Sequence, residues 1–316
     1  MNDRQRAEIV KSLARELGFD LCGIAPAGPI PRGPYLRTWL ESGRAGTMGY
    51  LHRHVDSRVD VRAWLPAARS VIVCGLNYHQ PQPDRPPGGE RRGRVAMYAW
   101  GDDYHRVMWD KLENLAQALR RRFGASIQWR ACVDTSAIVE RELAAAAGIG
   151  WIGKNTMALN AAIGSYFYLG ELLTDLPIAS DPPQPDHCGT CTRCLEACPT
   201  GAFPRPYEMD ASRCISYLTI EHRGDIDGEL ARQMEDWVFG CDVCQQVCPF
   251  NRAPPTGLEP QLAGTADDAY PLLNDIESWN EEAYRLATHD RAQSRAKLAM
   301  WRRNAKIAAA NLGPED

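Results

Sequence analysis

CGTCTRCLEACP (residues 188–199) and CDVCQQVCP (residues 241–249) carry seven cysteines whose spacing fits a pair of 4Fe–4S clusters. A loop with two residues between cysteines reaches three corners of a cubane, and the next cysteine, ahead of a proline, ligates the other cluster in two-cluster ferredoxins. By that rule Cys188, Cys191, Cys194 and Cys248 form one quartet. Cys198, Cys241 and Cys244 supply three ligands of the second. The position three residues ahead of Cys241 is Val238, which cannot ligate, so Cys214, the one unassigned cysteine of this region, is assigned as the fourth. A pair of zinc sites, each held by four cysteines, is the competing pattern. The crossed cysteine–proline signature favours iron–sulfur. Two one-electron centres side by side point to a chain that moves electrons.

The chain has 316 residues, 44% hydrophobic and 24% charged, which fits a globular protein of one or two domains. The N-terminal segment is mixed in charge and lacks the apolar stretch of a secretory signal. No apolar run of about 18 residues or more is present, so no membrane contact is expected. Eleven cysteines without a secretory signal read as metal binding in a reducing compartment, hence the cytoplasm. Cys22, Cys74 and Cys132 lie in apolar strand-like runs and read as small buried hydrophobes. The net charge of −4 excludes a polybasic nucleic-acid binder, although local clusters occur at Arg91-Arg92 with Arg94, at Arg120-Arg121-Arg122 and at Arg302-Arg303. Such patches read as solvated faces, yet one can bind phosphates locally over about a Debye length.

Ile9, Leu13 and Leu17 recur at helical spacing ahead of a strand-like Leu21–Ile24. Ser70–Tyr78 reads as a buried strand, and Met108, Leu112, Leu115 and Leu119 as a helical stripe. A short strand leads to Val133, a helix covers Glu140–Ala147, and β-like segments follow at Thr156–Leu159 and Ser165–Leu169. This alternation predicts an α/β domain. Pro182-Pro183-Gln184-Pro185 marks a boundary before the cysteine region, and an Ala-rich helix is expected over Ala296–Ala310. Gly148-Ile149-Gly150-Trp151-Ile152-Gly153 matches G-x-G-x-x-G but follows a helical run, where the dinucleotide fingerprint must follow a strand. Read as a phosphate loop, it has Asn155 where Ser or Thr is needed. These glycines read as sites of close backbone approach. Asp103-x-His105 begins like a cobalt-histidine motif, but Met108 stands where that motif has Gly, so His105 reads as a hydrogen-bonding residue of the fold.

Several stretches together resemble the epoxyqueuosine reductase family, which is related to cobalamin-dependent reductive dehalogenases. They are Tyr98–Gly101 with Asp103-Tyr104-His105, Val133-Asp134-Thr135, Glu140-Arg141, Ala147–Thr156, Gly164-Ser165, Arg213–Tyr217 and Phe239–Gln245. The resemblance runs from about residue 5 to the C-terminus. It implies reduction of the epoxide of epoxyqueuosine to the alkene of queuosine at the tRNA wobble position, with cobalamin beside two 4Fe–4S clusters. The implied fold class is α/β. A cobalamin-binding α/β reductase domain (1–180) is fused to a bacterial-ferredoxin-like domain with two 4Fe–4S clusters (181–255), and a short helical, HEAT-like segment (256–316) contacts tRNA. The resemblance further implies cobalamin or substrate contacts at Arg58, Lys154, Asn155, Ser216 and Asp242, beside Asp134. Its partners would be the anticodon arm of tRNA with a GUN anticodon and a reductant such as flavodoxin or ferredoxin, acting on a monomer.

The chemistry is coherent. Epoxide to alkene takes two electrons and two protons and releases water. The departing oxygen must be protonated, and Asp134 is the candidate general acid. An aspartate is ionised near neutral pH unless burial or negative charge raises its pKa, so this role calls for an apolar or crowded site. Asp134-Thr135-Ser136 is also good helix-capping chemistry. Arg302-Arg303-Asn304 in the last helix resembles the helical-repeat end of the family, which longer members extend. The alternatives are a reductive dehalogenase acting on a small molecule, a plain electron-transfer protein, for which the N-terminal half is too long, and a non-catalytic tRNA-binding module.

Overall fold

The computed structural model describes residues 1–313. Helix α1 (Asp3–Glu16) starts at a capping box in which the Asn2 side chain accepts from the Gln5 N–H and the Gln5 side chain accepts from the Asn2 N–H. Its buried face is Ala7, Val10 and Ala14, with Leu13 and Leu17 only flanking it. The stripe read at Ile9, Leu13 and Leu17 is thus rotated, because small side chains let the helix approach the sheet closely.

The main sheet has four strands: β1 (Leu21–Pro26), β2 (Ser70–Asn77), β3 (Trp129–Cys132) and β4 (Phe167–Thr174), in the order β1-β2-β4-β3. Every pairing in it is antiparallel. The alternation of helices and strands therefore marks a mixed fold without the parallel sheet that alternation usually brings. All eight residues of β2 and all eight of β4 are buried, since layers cover both faces.

On one face lie α1 and α2 (Tyr104–Phe123), the latter capped by Asp103 and buried through Val107, Met108, Leu112, Leu115, Ala116 and Leu119. On the other face α3 (Glu140–Ala146) packs Leu143 and Ala144 against Val71, Val73 and Leu173. Gly148 closes α3 at φ +68°, and a Cβ on Gly150 would lie 1.8 Å from the Leu159 carbonyl oxygen. These glycines serve turn and close approach, with no helix opening after them as a dinucleotide site requires.

The cysteine region has a small core of its own around Ile215, Tyr217, Leu218, Met234 and Trp237. The C-terminal helix α4 (Leu298–Leu312) does not stand apart. Trp301, Ala305 and Ala308 join the same core as α1, α2 and Phe239. Packing therefore runs continuously across the boundaries at 180 and 255. Among the described residues no helix is long and apolar enough to cross a membrane.

Candidate functional site

Cys188, Cys191, Cys194 and Cys248 line one cavity of about 210 Å³, together with Lys154, Asn155, His187 and Phe250. A single water-sized sphere needs only about 15 Å³, so the space suits an inorganic cubane and is far too large for one ion. The Trp151 indole N–H is buried without an acceptor and faces the Cys188 thiol. A cluster sulfur would satisfy that orphaned donor, because thiolate-held sulfur accepts hydrogen bonds from nearby donors. Cys198, Cys214, Cys241 and Cys244 face one another in a second group, and Cys194 lies near enough to interact with Cys244. The Cys214 sulfur receives the backbone N–H groups of Ser216 and Tyr217, and that of Cys198 receives the Ala202 N–H. Val238 is wholly buried in the strand Trp237–Phe239, and Cys214 stands near Cys198 and Cys241 as the fourth thiol of the second group.

Asp134 opens the turn after β3 with φ +32°, an uncommon conformation for a residue other than glycine. Its N–H donates to Glu140 Oε1 at 2.7 Å, and its carboxylate Oδ2 lies 3.1 Å from His105 Nε2. His105 Nδ1 lies 2.6 Å from Asp103 Oδ1, so two carboxylates grip both ring nitrogens. Burial lowers the imidazole pKa, but hydrogen bonds to Asp103 and Asp134, with their charges, outweigh it and bring the value to about 9. The ring stacks on Tyr104 at 4.1 Å, and Tyr104 stacks on Tyr168 at 4.3 Å.

Around this centre stand residues from both ends of the chain. The Arg58 guanidinium is lowered by burial, against the pull of Tyr50 and Asp134, and its Nε is buried with no partner. The Tyr50 hydroxyl is raised by burial and by Glu221, with Asp134 adding. Glu221 is held by a two-point ion pair with Arg295 (2.8 and 3.0 Å), whose guanidinium lies 5.3 Å from the Tyr50 ring. Tyr98 is half-buried and interacts electrostatically with both Asp134 and Asp242. The ring of aromatic and charged groups, with one unsatisfied guanidinium nitrogen, can hold a planar polar ligand against a proton-carrying pair.

Of the apolar or crowded surroundings expected for Asp134, the crowded kind is present: its side chain is 55% exposed, and its neighbours are charged. Of the residues expected at cobalamin, Arg58 interacts with Asp134 directly, and the others bond to the protein's own groups. Lys154 Nζ donates to the carbonyls of Gly189 and Cys191 at 2.7 and 2.9 Å, and Asn155 to that of Cys244, so both brace the cluster loops. Asp242 is 3% exposed and accepts from the Met97 N–H and from Gln245, and Ser216 turns its N–H to Cys214. Most of the arginine clusters are likewise internal. Arg92 donates to Asp267 and the Tyr270 carbonyl, Arg94 pairs with Glu235 and Asp236, and Arg303 donates to the carbonyls of Leu218, His222 and Gly224. Arg302 donates to the Trp279 carbonyl. Tyr50, Glu221 and Arg295 escaped the sequence reading, since no spacing links them. Glu171 had a readable signal, a lone carboxylate in an otherwise apolar strand.

Residues 187–251 match the 4Fe-4S double cluster binding domain, and residues 58–135 match the family described as epoxyqueuosine reductase QueG. An epoxyqueuosine reductase of Leadbetterella byssophila is 40% identical over 95% of this chain and 97% of its own length. A solved epoxyqueuosine reductase bound to an epoxyqueuosine-modified tRNA-Tyr stem loop superposes with a TM-score of 0.92 at 33% identity, covering 98% of this chain and 82% of that one. The Bacillus subtilis enzyme, solved with its catalytic aspartate loop swung out of the active site, gives 0.91 at 32% identity and the same coverage. A catabolic reductive dehalogenase shares the fold at 18% identity, with a TM-score of 0.50 over 98% of this chain and 36% of that one.

Proposed function

The chain belongs to the epoxyqueuosine reductase family, and from that premise we infer that it reduces epoxyqueuosine to queuosine in tRNA. The observation that carries the reading is the position of Tyr98. It lies within electrostatic reach of Asp134 and of Asp242, the neighbour of the cluster ligand Cys241. The redox half and the proton-bearing half of the chain meet there.

Cobalamin completes the site in this reading, and the unpartnered Arg58 Nε, with Tyr50 and Tyr98 beside it, supports a polar, amide-bearing macrocycle at that place. When bound, it supplies a strongly nucleophilic cobalt to a strained carbon, fed one electron at a time by the clusters. The remaining tasks belong to the chain. Asp134 delivers protons to the leaving oxygen. His105, protonated up to about pH 9, holds a proton 3.1 Å from Asp134 Oδ2. The pair therefore carries a transferable proton at neutral pH even though Asp134 is open to solvent. Asp103 fixes the imidazole in orientation and favours its charged form. Arg58 and the Glu221–Arg295 pair frame the ligand.

The substrate is the wobble nucleoside of a GUN anticodon, extruded from the anticodon arm so that its modified ring reaches Asp134, and phosphate contacts set the register. The reductant is a low-potential flavodoxin or ferredoxin, the enzyme is a monomer, and the setting is the cytoplasm, which the eleven free cysteines support.

Anaerobic reconstitution with iron, sulfide and cobalamin, followed by nucleoside analysis of tRNA carrying epoxyqueuosine, tests the reading. Queuosine should accumulate with a chemical reductant. A protein that loads iron but ignores corrinoid, or that leaves the epoxide intact, would refute it.

A further inference from the structure

Lys154 sits in the turn of a short hairpin whose strands, Trp151–Ile152 and Ala158–Leu159, pair antiparallel. The Gly153 N–H closes that turn on the Met157 carbonyl at 2.8 Å, so the lysine is presented on a fixed backbone. It lines the cavity of Cys188, Cys191, Cys194 and Cys248 and is 9% exposed. An ammonium has three donors. Two are spent on the carbonyls of Gly189 and Cys191, at 2.7 and 2.9 Å, and among the described residues no carboxylate forms an ion pair with it. Asp186 feels its charge from farther off, and that carboxylate already accepts the Cys188 N–H at 2.7 Å and the Tyr207 hydroxyl. The other buried cation among the described residues, Arg92, is paired with Asp267 at 2.7 Å. Lys154 is thus a buried positive charge left unpaired by the protein, in the one cavity that four cysteines line.

A buried charge is costly unless an opposite charge compensates it. A cubane held by four thiolates is a net anion, and its negative charge grows by one on reduction. We propose that Lys154 is the internal counter-ion of the cluster assigned to Cys188, Cys191, Cys194 and Cys248, and that its charge sets the reduction potential of that cluster above that of the second. Lys154 touches no substrate and acts on the electron. One electron arrives from the reductant, a ferric site becomes ferrous, and the ammonium stabilises the added charge with no proton taken up. Among the described residues no buried cation faces the second group. Arg213, next to Cys214, is exposed and donates to the Thr200 carbonyl at 2.8 Å. Asn155 gives the Cys244 carbonyl a neutral donor at 3.3 Å. The first cluster is therefore reduced before the second.

The inference rests on the assignment of two 4Fe–4S clusters to these cysteines. Its test needs neither corrinoid nor tRNA, so its failure can be told from failure of the functional reading. Cluster-loaded protein is titrated anaerobically with dithionite at stepped potentials and followed by electron paramagnetic resonance. Wild type, which needs no variant, should show two separate midpoints; a single shared midpoint overturns the proposal. Lys154→Gln keeps N–H donors for the two carbonyls and loses the charge. Its higher midpoint should fall by about 59 mV or more, tenfold in the one-electron equilibrium, and its lower midpoint should stay. Lys154→Arg keeps the charge and should titrate like wild type. A Lys154→Gln protein with full iron and wild-type midpoints would reduce Lys154 to a brace of the loop. An arginine variant that titrates like the glutamine variant would likewise overturn the counter-ion role.

Discussion

Asp134 occupies a left-handed backbone conformation that costs a non-glycine residue about 1 kcal/mol or more, and Glu140 holds it there through the backbone. Asparagine tolerates the same conformation, so Asp134→Asn removes the proton-carrying group while leaving the turn intact. Turnover should fall about 100-fold or more, with iron and corrinoid content unchanged; undiminished turnover would remove Asp134 from the chemistry. His105 tests the other half of the pair. Its pKa in the fold lies above the ordinary imidazole value, at about 9. The proton is held below that pH and released above it, so kcat should decline as pH rises through about 9. In His105→Gln the rate should drop about 100-fold and this alkaline limb should disappear from the pH–rate profile. A limb unchanged in the variant would assign it to another group. Asp134 was legible because its flanking residues match a family pattern. His105 was read as a residue of the fold, since a motif failing at Met108 does not reveal that a turn some thirty residues later closes on its Nε2.

The cysteine loops form one element whose purpose was plain from spacing, because cubane ligation is local and geometric. Cys214→Ala should therefore cost one cluster only, with iron falling by about four of about eight atoms. Full iron retention would mean that another group takes that corner. Strand β4 illustrates the opposite case. A run from Ser165 was expected there, yet nothing in its order says that Glu171 meets the first residue of α3. Its carboxyl is raised in the fold, so the folded state holds a proton that the unfolded chain releases above its ordinary value. The contribution to stability is fully present below the unfolded carboxyl pKa of about 4.3 and is lost as pH rises toward the raised value that burial gives Glu171 in the fold. Anaerobic melts should show Tm falling across that window in wild type and less steeply in Glu171→Gln. Parallel curves would contradict the assignment.

Across the whole molecule, the C-terminal helix is wedged into the common core and does not sit on it as an appendage. Asn304 is wholly buried and donates to the carbonyls of Thr219 and Val238 at 2.9 Å each, tying α4 to the segment between Cys214 and Cys241. Asn304→Ala leaves both carbonyls unpaired and should cost about 2 kcal/mol, read as a lower Tm of the reconstituted protein with cluster content intact. An unchanged Tm would show that the helix is not anchored there. Arg303 and Asn304 drew notice as a basic feature facing a polyanion, and the fold spends both on its own backbone.

By itself the sequence determined the double-cluster cysteine pattern, much of the helix and strand inventory and the family, because ligand spacing and apolar periodicity are short-range and survive in linear order. Only the tertiary structure decided that the strands of the main sheet pair antiparallel, that Lys154 and Asn155 brace the cysteine loops, and that Tyr50, Arg58, His105, Asp134, Glu221 and Arg295 converge. Those contacts join segments far apart in the chain, and their partners are chosen by burial and hydrogen-bond satisfaction in the packed state, for which no local pattern exists.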